Sequence, residues 1–255
     1  SARNTFPIPF DSIAATAVEF SPVDVQYGQF TGCAINVTTK SGSNEFHGSA
    51  FFLYTGDGLT GSDIDDPAVP GPIEADFDNY NWGAELGGPI IKDRLFFYGS
   101  YEETDAGGIQ DEGFGSGFAN PIDPSDITEA EANRAAAALQ NIFGRDVGGQ
   151  VRSLPATSRR FFGRIDWNIT EGHRLEATYA RLEETSTFGD DIGGGRGEFT
   201  FADNFQNVGS ESDAYSVRLY SDWTDNFSTE IRASRIEIGD IQNPIGGGEQ
   251  QSDNP

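Results

Sequence analysis

The stretch Asn79-Tyr-Asn-Trp-Gly-Ala-Glu-Leu-Gly-Gly-Pro-Ile-Ile-Lys-Asp-Arg-Leu-Phe-Phe-Tyr-Gly-Ser-Tyr-Glu-Glu-Thr-Asp-Ala106 carries the pattern that decides the fold. In its first half Tyr80, Trp82, Ala84 and Leu86 alternate with Asn79, Asn81, Gly83 and Glu85. A strand sends successive side chains to opposite faces, so this spacing sets one apolar face against one polar face. A short connection follows at 89–93, and an aromatic-rich strand restarts at Phe96 and Phe97. The same period returns twice downstream. Phe161, Gly163, Ile165, Trp167 and Ile169 oppose Arg160, Arg164, Asp166 and Asn168, and Tyr215, Val217, Leu219 and Trp223 oppose Ser216, Arg218, Tyr220 and Asp222.

Working outward, seven stretches have strand character, near 45–55, 79–88, 94–106, 159–169, 173–187, 212–223 and 227–241. Their connections alternate in length. Those at 89–93, 170–172 and 224–226 are short, whereas those at 56–78, 107–158 and 188–211 are long and 242–255 opens another. Short turns on one side and extended loops on the other are the pattern of an outer-membrane barrel. With the long loops outside, Tyr80, Trp82, Phe161 and Tyr215 mark the outer ends of strands, and Trp167, Trp223, Phe96, Phe97 and Phe227 mark the inner ends. Aromatic residues at both interfaces are what a bilayer-spanning barrel requires. One helix is expected at about 127–143 in the longest loop, with Thr128 and Glu131 placed for a capping box and Gly144 as its stop.

Composition narrows the function classes. The 255 residues carry 41 acidic against 16 basic side chains, a net charge of −25. A polyanionic partner would be repelled, which excludes nucleic acid. Apolar runs such as Phe51–Tyr54 are far short of the roughly 20 residues that a membrane helix needs. Cys33 is the lone cysteine, so no disulfide forms within the chain. Cys33, His47 and His173 are read as structural and no cofactor is expected. Asp63, Asp65 and Asp66, in an acidic first loop, are weak calcium candidates, because the segment lacks the full calcium-loop pattern. No nucleophile–base set can be placed, so no enzyme is expected.

The segment Val25-Gln-Tyr-Gly-Gln-Phe-Thr-Gly-Cys-Ala-Ile-Asn-Val-Thr-Thr-Lys-Ser-Gly-Ser-Asn-Glu-Phe-His-Gly-Ser-Ala50 resembles the plug-to-barrel junction of TonB-dependent outer-membrane receptors, and among these the Oar-like group, whose members often carry a carboxypeptidase-regulatory-like domain. Tyr27, Gly28, Gly32, Ile35, Asn36, Thr39 and Lys40 match the group's junction motif, with Cys33 standing where the group has a second glycine. Leu86 to Glu102 is similar to the group's second strand, first periplasmic turn and third strand.

The resemblance implies an all-β fold: an antiparallel transmembrane β-barrel fragment of about seven strands from a larger, 22-stranded barrel. Residues 1–43 would be the C-terminal part of a plug domain, and residues 44–255 the N-terminal part of the barrel. It further implies a TonB-dependent receptor of the Gram-negative cell outer membrane, serving uptake or export. Its energy would come from the TonB–ExbB–ExbD complex through a segment upstream of Ser1. The ligand stays open among siderophore, peptide, oligosaccharide and protein. Lipid-facing charge costs ~2–4 kcal/mol at the midplane, so Glu85, Arg160, Arg164, Asp166 and Arg218 are assigned to the lumen. The alternatives are a passive porin or adhesin barrel and a soluble secreted β-domain that binds carbohydrate or cations.

Overall fold

A computed structural model describes residues 7–20, 33–59, 78–110, 112–115, 118, 120–189 and 199–244. Seven strands form one antiparallel sheet: β3 (His47–Gly56), β4 (Asp78–Ile91), β5 (Leu95–Ile109), β8 (Ser153–Thr170), β9 (His173–Gly189), β10 (Phe205–Thr224) and β11 (Phe227–Pro244). They pair in simple chain order from β3 to β11. Two strands before them, β1 (Ile13–Phe20) and β2 (Cys33–Thr39), make a separate antiparallel hairpin. A short parallel pair, β6 (Glu112–Gly113) and β7 (Asn120–Pro121), lies in the loop between β5 and β8. The same loop holds α1 (Glu129–Phe143).

All seven sheet strands sit where the alternation places them, but several run further. β8 begins at Ser153 and β10 at Phe205, both inside stretches read from the sequence as loop. The reason is chemical. Their outer ends, Ser-Leu-Pro-Ala-Thr-Ser at 153–158 and Phe-Gln-Asn-Val-Gly-Ser-Glu at 205–211, mix polar, small and single apolar residues, so no sustained apolar period marks them. Nothing in the sequence reading separated β1 and β2 from the rest of residues 1–43 either.

The register sorts the side chains into two faces. Trp82, Phe97, Tyr101, Phe161, Ile165, Tyr179, Tyr215, Val217 and Ile231 fall on one side through the pairings Ile165↔Phe97, Ile165↔Ala177, Ala177↔Val217 and Leu219↔Ile231. These residues stay open to the surroundings: Val217 is 45% and Ile231 62% exposed. A large apolar surface that the protein leaves uncovered is one made for another apolar medium. On β4 this face runs from Tyr80 to Ile90, about 33 Å of strand, which at a tilt of about 40° matches the ~25 Å apolar band of a membrane barrel.

Phe96 is a correction to the aromatic belt. It pairs with Asp166 and shares that residue's inward face, while its neighbour Phe97 points outward. Above the outer aromatic row the outward face turns charged. Arg159 bridges Glu103 at 3.0 Å and Glu183 at 3.8 Å, and Arg181 lies among Glu183, Glu211 and Asp213. Such exposed pairs add little stability, but their position shows where the wall leaves the apolar layer. β10 has 20 residues, and a tilted span needs about ten, so the wall projects well beyond the bilayer.

The long loop has its own small core. Phe114, Ile122 and Ala132 pack together with Ile127, Phe199 and Phe201. Thr128 caps α1, its hydroxyl accepting from Glu131 N while the Glu131 carboxylate accepts from Thr128 N. Gly144 ends the helix at φ 68°, the left-handed conformation that glycine adopts without strain. Arg145 pairs with Asp203 at 2.8 Å, fastening this loop to the one before β10. No helix among the described residues is long and apolar enough to cross a membrane, which says nothing of crossing by strands.

Candidate functional site on the inward face

The opposite face of the sheet is where charge is gathered and buried. Glu85, on β4, is 8% exposed at its side chain and faces three donors. Lys40 donates to both of its carboxylate oxygens at 2.8 Å, Ser49 at 3.0 Å, and the Tyr98 hydroxyl completes the set. Lys40 follows directly on β2, so this pair ties the hairpin to the wall. Arg164, on β8, forks onto Asp166 at 2.7 and 2.8 Å, reaches Glu176 at 2.9 Å, and donates to Thr39 Oγ1 at 2.9 Å. Asp166 and Glu176 face each other across β8 and β9. Without a cation between them their mutual repulsion would be uncompensated in a half-dry site.

Two further contacts come from the segment ahead of β1. The Phe10 amide donates to Glu102 at 2.9 Å, and Glu102 also holds Arg160 at 3.2 Å. The Tyr98 hydroxyl lies 3.2 Å from the Asp11 carbonyl oxygen. Ile8 packs against a small core of Tyr98, Phe162 and Ala180 on the wall. The hairpin therefore lies on the inward face, held by polar contacts with one apolar point of attachment.

Of the lumen candidates, Glu85, Arg160, Arg164 and Asp166 come together beneath the hairpin. Arg218 borders them, opposite Glu176 in register, donating to the Tyr220 hydroxyl at 2.6 Å and pairing with Glu230 at 3.4 Å. Of the junction motif, Thr39 and Lys40 touch the wall, Asn36 and Ile35 sit in β2, and Tyr27, Gly28 and Gly32 lie outside the described residues. The calcium candidates Asp63, Asp65 and Asp66 lie outside them too. Among the described residues no cluster of His, Cys, Asp and Glu could hold a metal ion. His173 instead packs edge-on against Trp223, their rings 4.9 Å apart.

The sequence reading missed Glu102, Tyr98 and Glu176. Each lies opposite a residue that it did select, through the pairings Glu102↔Arg160, Tyr98↔Arg164 and Asp166↔Glu176. The signal was cross-strand register, which alternation alone does not supply. The inward face is also less uniformly polar than the alternation suggests, since Phe51, Phe162, Leu182 and Ile236 share it.

The comparisons agree with this geometry. Residues 38–112, the span of β3 to β5, match the family described as an outer membrane beta barrel domain. The chain is 32% identical over 166 residues to the TonB-dependent transporter Oar of Myxococcus xanthus, covering 59% of this chain and 14% of that protein. It thus spans about a seventh of that relative's length. No solved structure matches. The chain carries an outer-membrane β-barrel domain, belongs in the cell outer membrane and is related to the TonB-dependent transporters.

Proposed function

We propose that this chain supplies the plug-to-barrel junction and the first wall of a TonB-dependent receptor that moves a bulky ligand through the outer membrane. The observation that carries the reading is the β1–β2 hairpin on the inward face, held by Lys40–Glu85, Thr39–Arg164 and the contacts of Phe10 and Asp11. A sheet with a lipid-facing side cannot stand in a bilayer with free edges, and β3 and β11 are the two edges of this one. Further strands must complete the wall around the hairpin.

The chemistry of the contacts suits a stopper that has to move. Ion pairs and hydrogen bonds exchange for water as the lumen floods, so separation costs far less than exposing an apolar interface of the same size. Pulling from the periplasmic side by the TonB–ExbB–ExbD complex would break them one at a time. The plug then ends within 40–46 and the barrel begins with β3. The chain does no covalent chemistry in this account. Ligand choice falls to the outer loops and to plug surfaces beyond the hairpin, with siderophore, peptide, oligosaccharide and protein all compatible.

Conductance of the full-length protein in planar bilayers tests this. A plugged barrel conducts almost nothing until the plug is deleted, and then opens widely. A wild-type protein that conducts steadily would instead be a passive porin. Equal loss of ligand-dependent growth on deleting either the receptor or TonB would establish the energy source.

A further inference from the structure

The link between hairpin and wall, residues 40–46, has its backbone pinned to the wall at one end only. Toward the hairpin, Thr39 and Lys40 touch the wall through side chains alone. From Gly42 onward the backbone itself is pinned. A Cβ at Gly42 would overlap the carbonyl oxygens of Phe97 and Gly88, so the chain lies flat on β4 and β5 there. Phe46 covers Gly88 and packs 6.3 Å from Phe97, ring to ring.

Asn44 fastens this stretch to the first short turn. Its Nδ2 donates to Asp93 Oδ1 at 2.6 Å, and its Oδ1 accepts from the Asp93 amide at 2.8 Å. Asp93 is the tip of the first short turn and the one described non-glycine residue at positive φ, 63°. A residue held in that conformation needs its surroundings to keep it there. Asn168 supplies the other side, donating to the Asp93 carbonyl at 3.2 Å, while its own amide donates to the Arg94 carbonyl at 2.7 Å. Arg94 reaches the Ile169 carbonyl at 3.3 Å, and the Asp222 amide donates to the Gly172 carbonyl at 2.7 Å. Linker and short turns thus join in a continuous belt along the rim.

We infer that Asn44 and Asp93 are the fixed anchor of the plug, so that the chain moves up to Lys40, pivots at Ser41 and is static from Gly42. This rests on the receptor reading proposed above. Force arriving through the hairpin meets side-chain contacts first and then a backbone bolted to the rim, so it spreads into the wall instead of peeling β3 from the sheet. Asn44 is a positioning residue: it sets where the plug returns.

The test is an exchange of the two side chains in the full-length protein, read by bilayer conductance. Asn44→Asp alone places like charges together and removes the donor, and should raise the fraction of time open about tenfold or more. Adding Asp93→Asn restores a side-chain donor facing one carboxylate, while the side chain at 44 still accepts from the amide at 93, and asparagine is well suited to the positive φ. The exchanged pair should return to within about threefold of wild type. Heat-modifiable gel migration shows that the barrel is folded in every variant. An Asn44→Asp variant as tight as wild type overturns the anchor, as does an exchanged pair as leaky as the single variant. A wild-type protein already open overturns the plug reading itself, and the anchor with it.

Discussion

Arg164→Ala is the most informative single change to the wall. The guanidinium is 12% exposed, and its partners Asp166 and Glu176 are 10% and 14% exposed. Removing it leaves two carboxylates facing each other in register, with Arg218, opposite Glu176, as the neighbouring cation that remains. Breaking a buried pair from one side costs about 3–5 kcal/mol. Water can enter the lumen, which puts the expectation at the low end, about 3 kcal/mol or roughly a hundredfold in the folding equilibrium. Arg164→Lys keeps the charge but loses the fork and should lie between the two. The assay is urea unfolding of the full-length protein in detergent micelles, followed by tryptophan fluorescence. The triple variant Arg164→Ala, Asp166→Asn, Glu176→Gln removes the stranded charges and should recover more than half of the loss. An Arg164→Ala protein within about 0.5 kcal/mol of wild type, a typical surface effect, would refute the reasoning. So would a triple variant no more stable than the single one.

Lys40→Ala leaves Glu85 with only hydroxyl donors and should weaken hairpin docking by about 2 kcal/mol, seen as hydrogen exchange about thirtyfold faster in β1 and β2 with β8 unchanged. Leu219→Arg puts a charge on the lipid side midway between the two aromatic belts and should destabilise insertion by ~2–4 kcal/mol, measured by refolding into vesicles, whereas Ser216→Arg, on the inward face, should cost much less. Thr128→Ala should cost α1 about 1 kcal/mol, read as faster exchange confined to the loop before β8. The bonds that Glu131 accepts from Thr128 hold its carboxyl below its ordinary value, so the cap's contribution is full at neutral pH. It should fade as the pH falls below the usual carboxylate range through that lowered value, and exchange in α1 should quicken there first.

How far the sequence was readable differs between the layers of this protein. Alternation at 79–88, 159–169 and 212–223 located both faces, because water, lipid and lumen demand different side chains on them. It failed at Ser153–Ser158 and Phe205–Glu211, where the wall stands clear of lipid and apolar residues such as Leu154, Phe205 and Val208 are too few and too mixed with polar ones to set a period. Capping of α1 was visible because Thr128, Glu131 and Gly144 act within one turn of the chain. The docking site was half visible. Glu85, Arg160, Arg164 and Asp166 were chosen for their orientation, while Glu102 and Glu176, with the same orientation, depend on which residue lies opposite. The Asn44–Asp93 clamp was not visible at all, since its partners are 49 residues apart and neither stands out in composition.

The most direct test of the central claim is spin labelling along β8, one position at a time from Arg160 to Asn168, in the full-length protein reconstituted into vesicles. Collision with oxygen, which concentrates in lipid, should peak at Phe161, Gly163, Ile165 and Trp167. Collision with a water-soluble nickel reagent should stay low at Phe162, Arg164 and Asp166 while the hairpin is docked, and rise at those three when the hairpin is deleted. Equal collision with oxygen at neighbouring positions, with no two-residue period, would contradict a lipid-spanning wall, and nickel access at those three positions unchanged by deleting the hairpin would contradict a hairpin on its inner face.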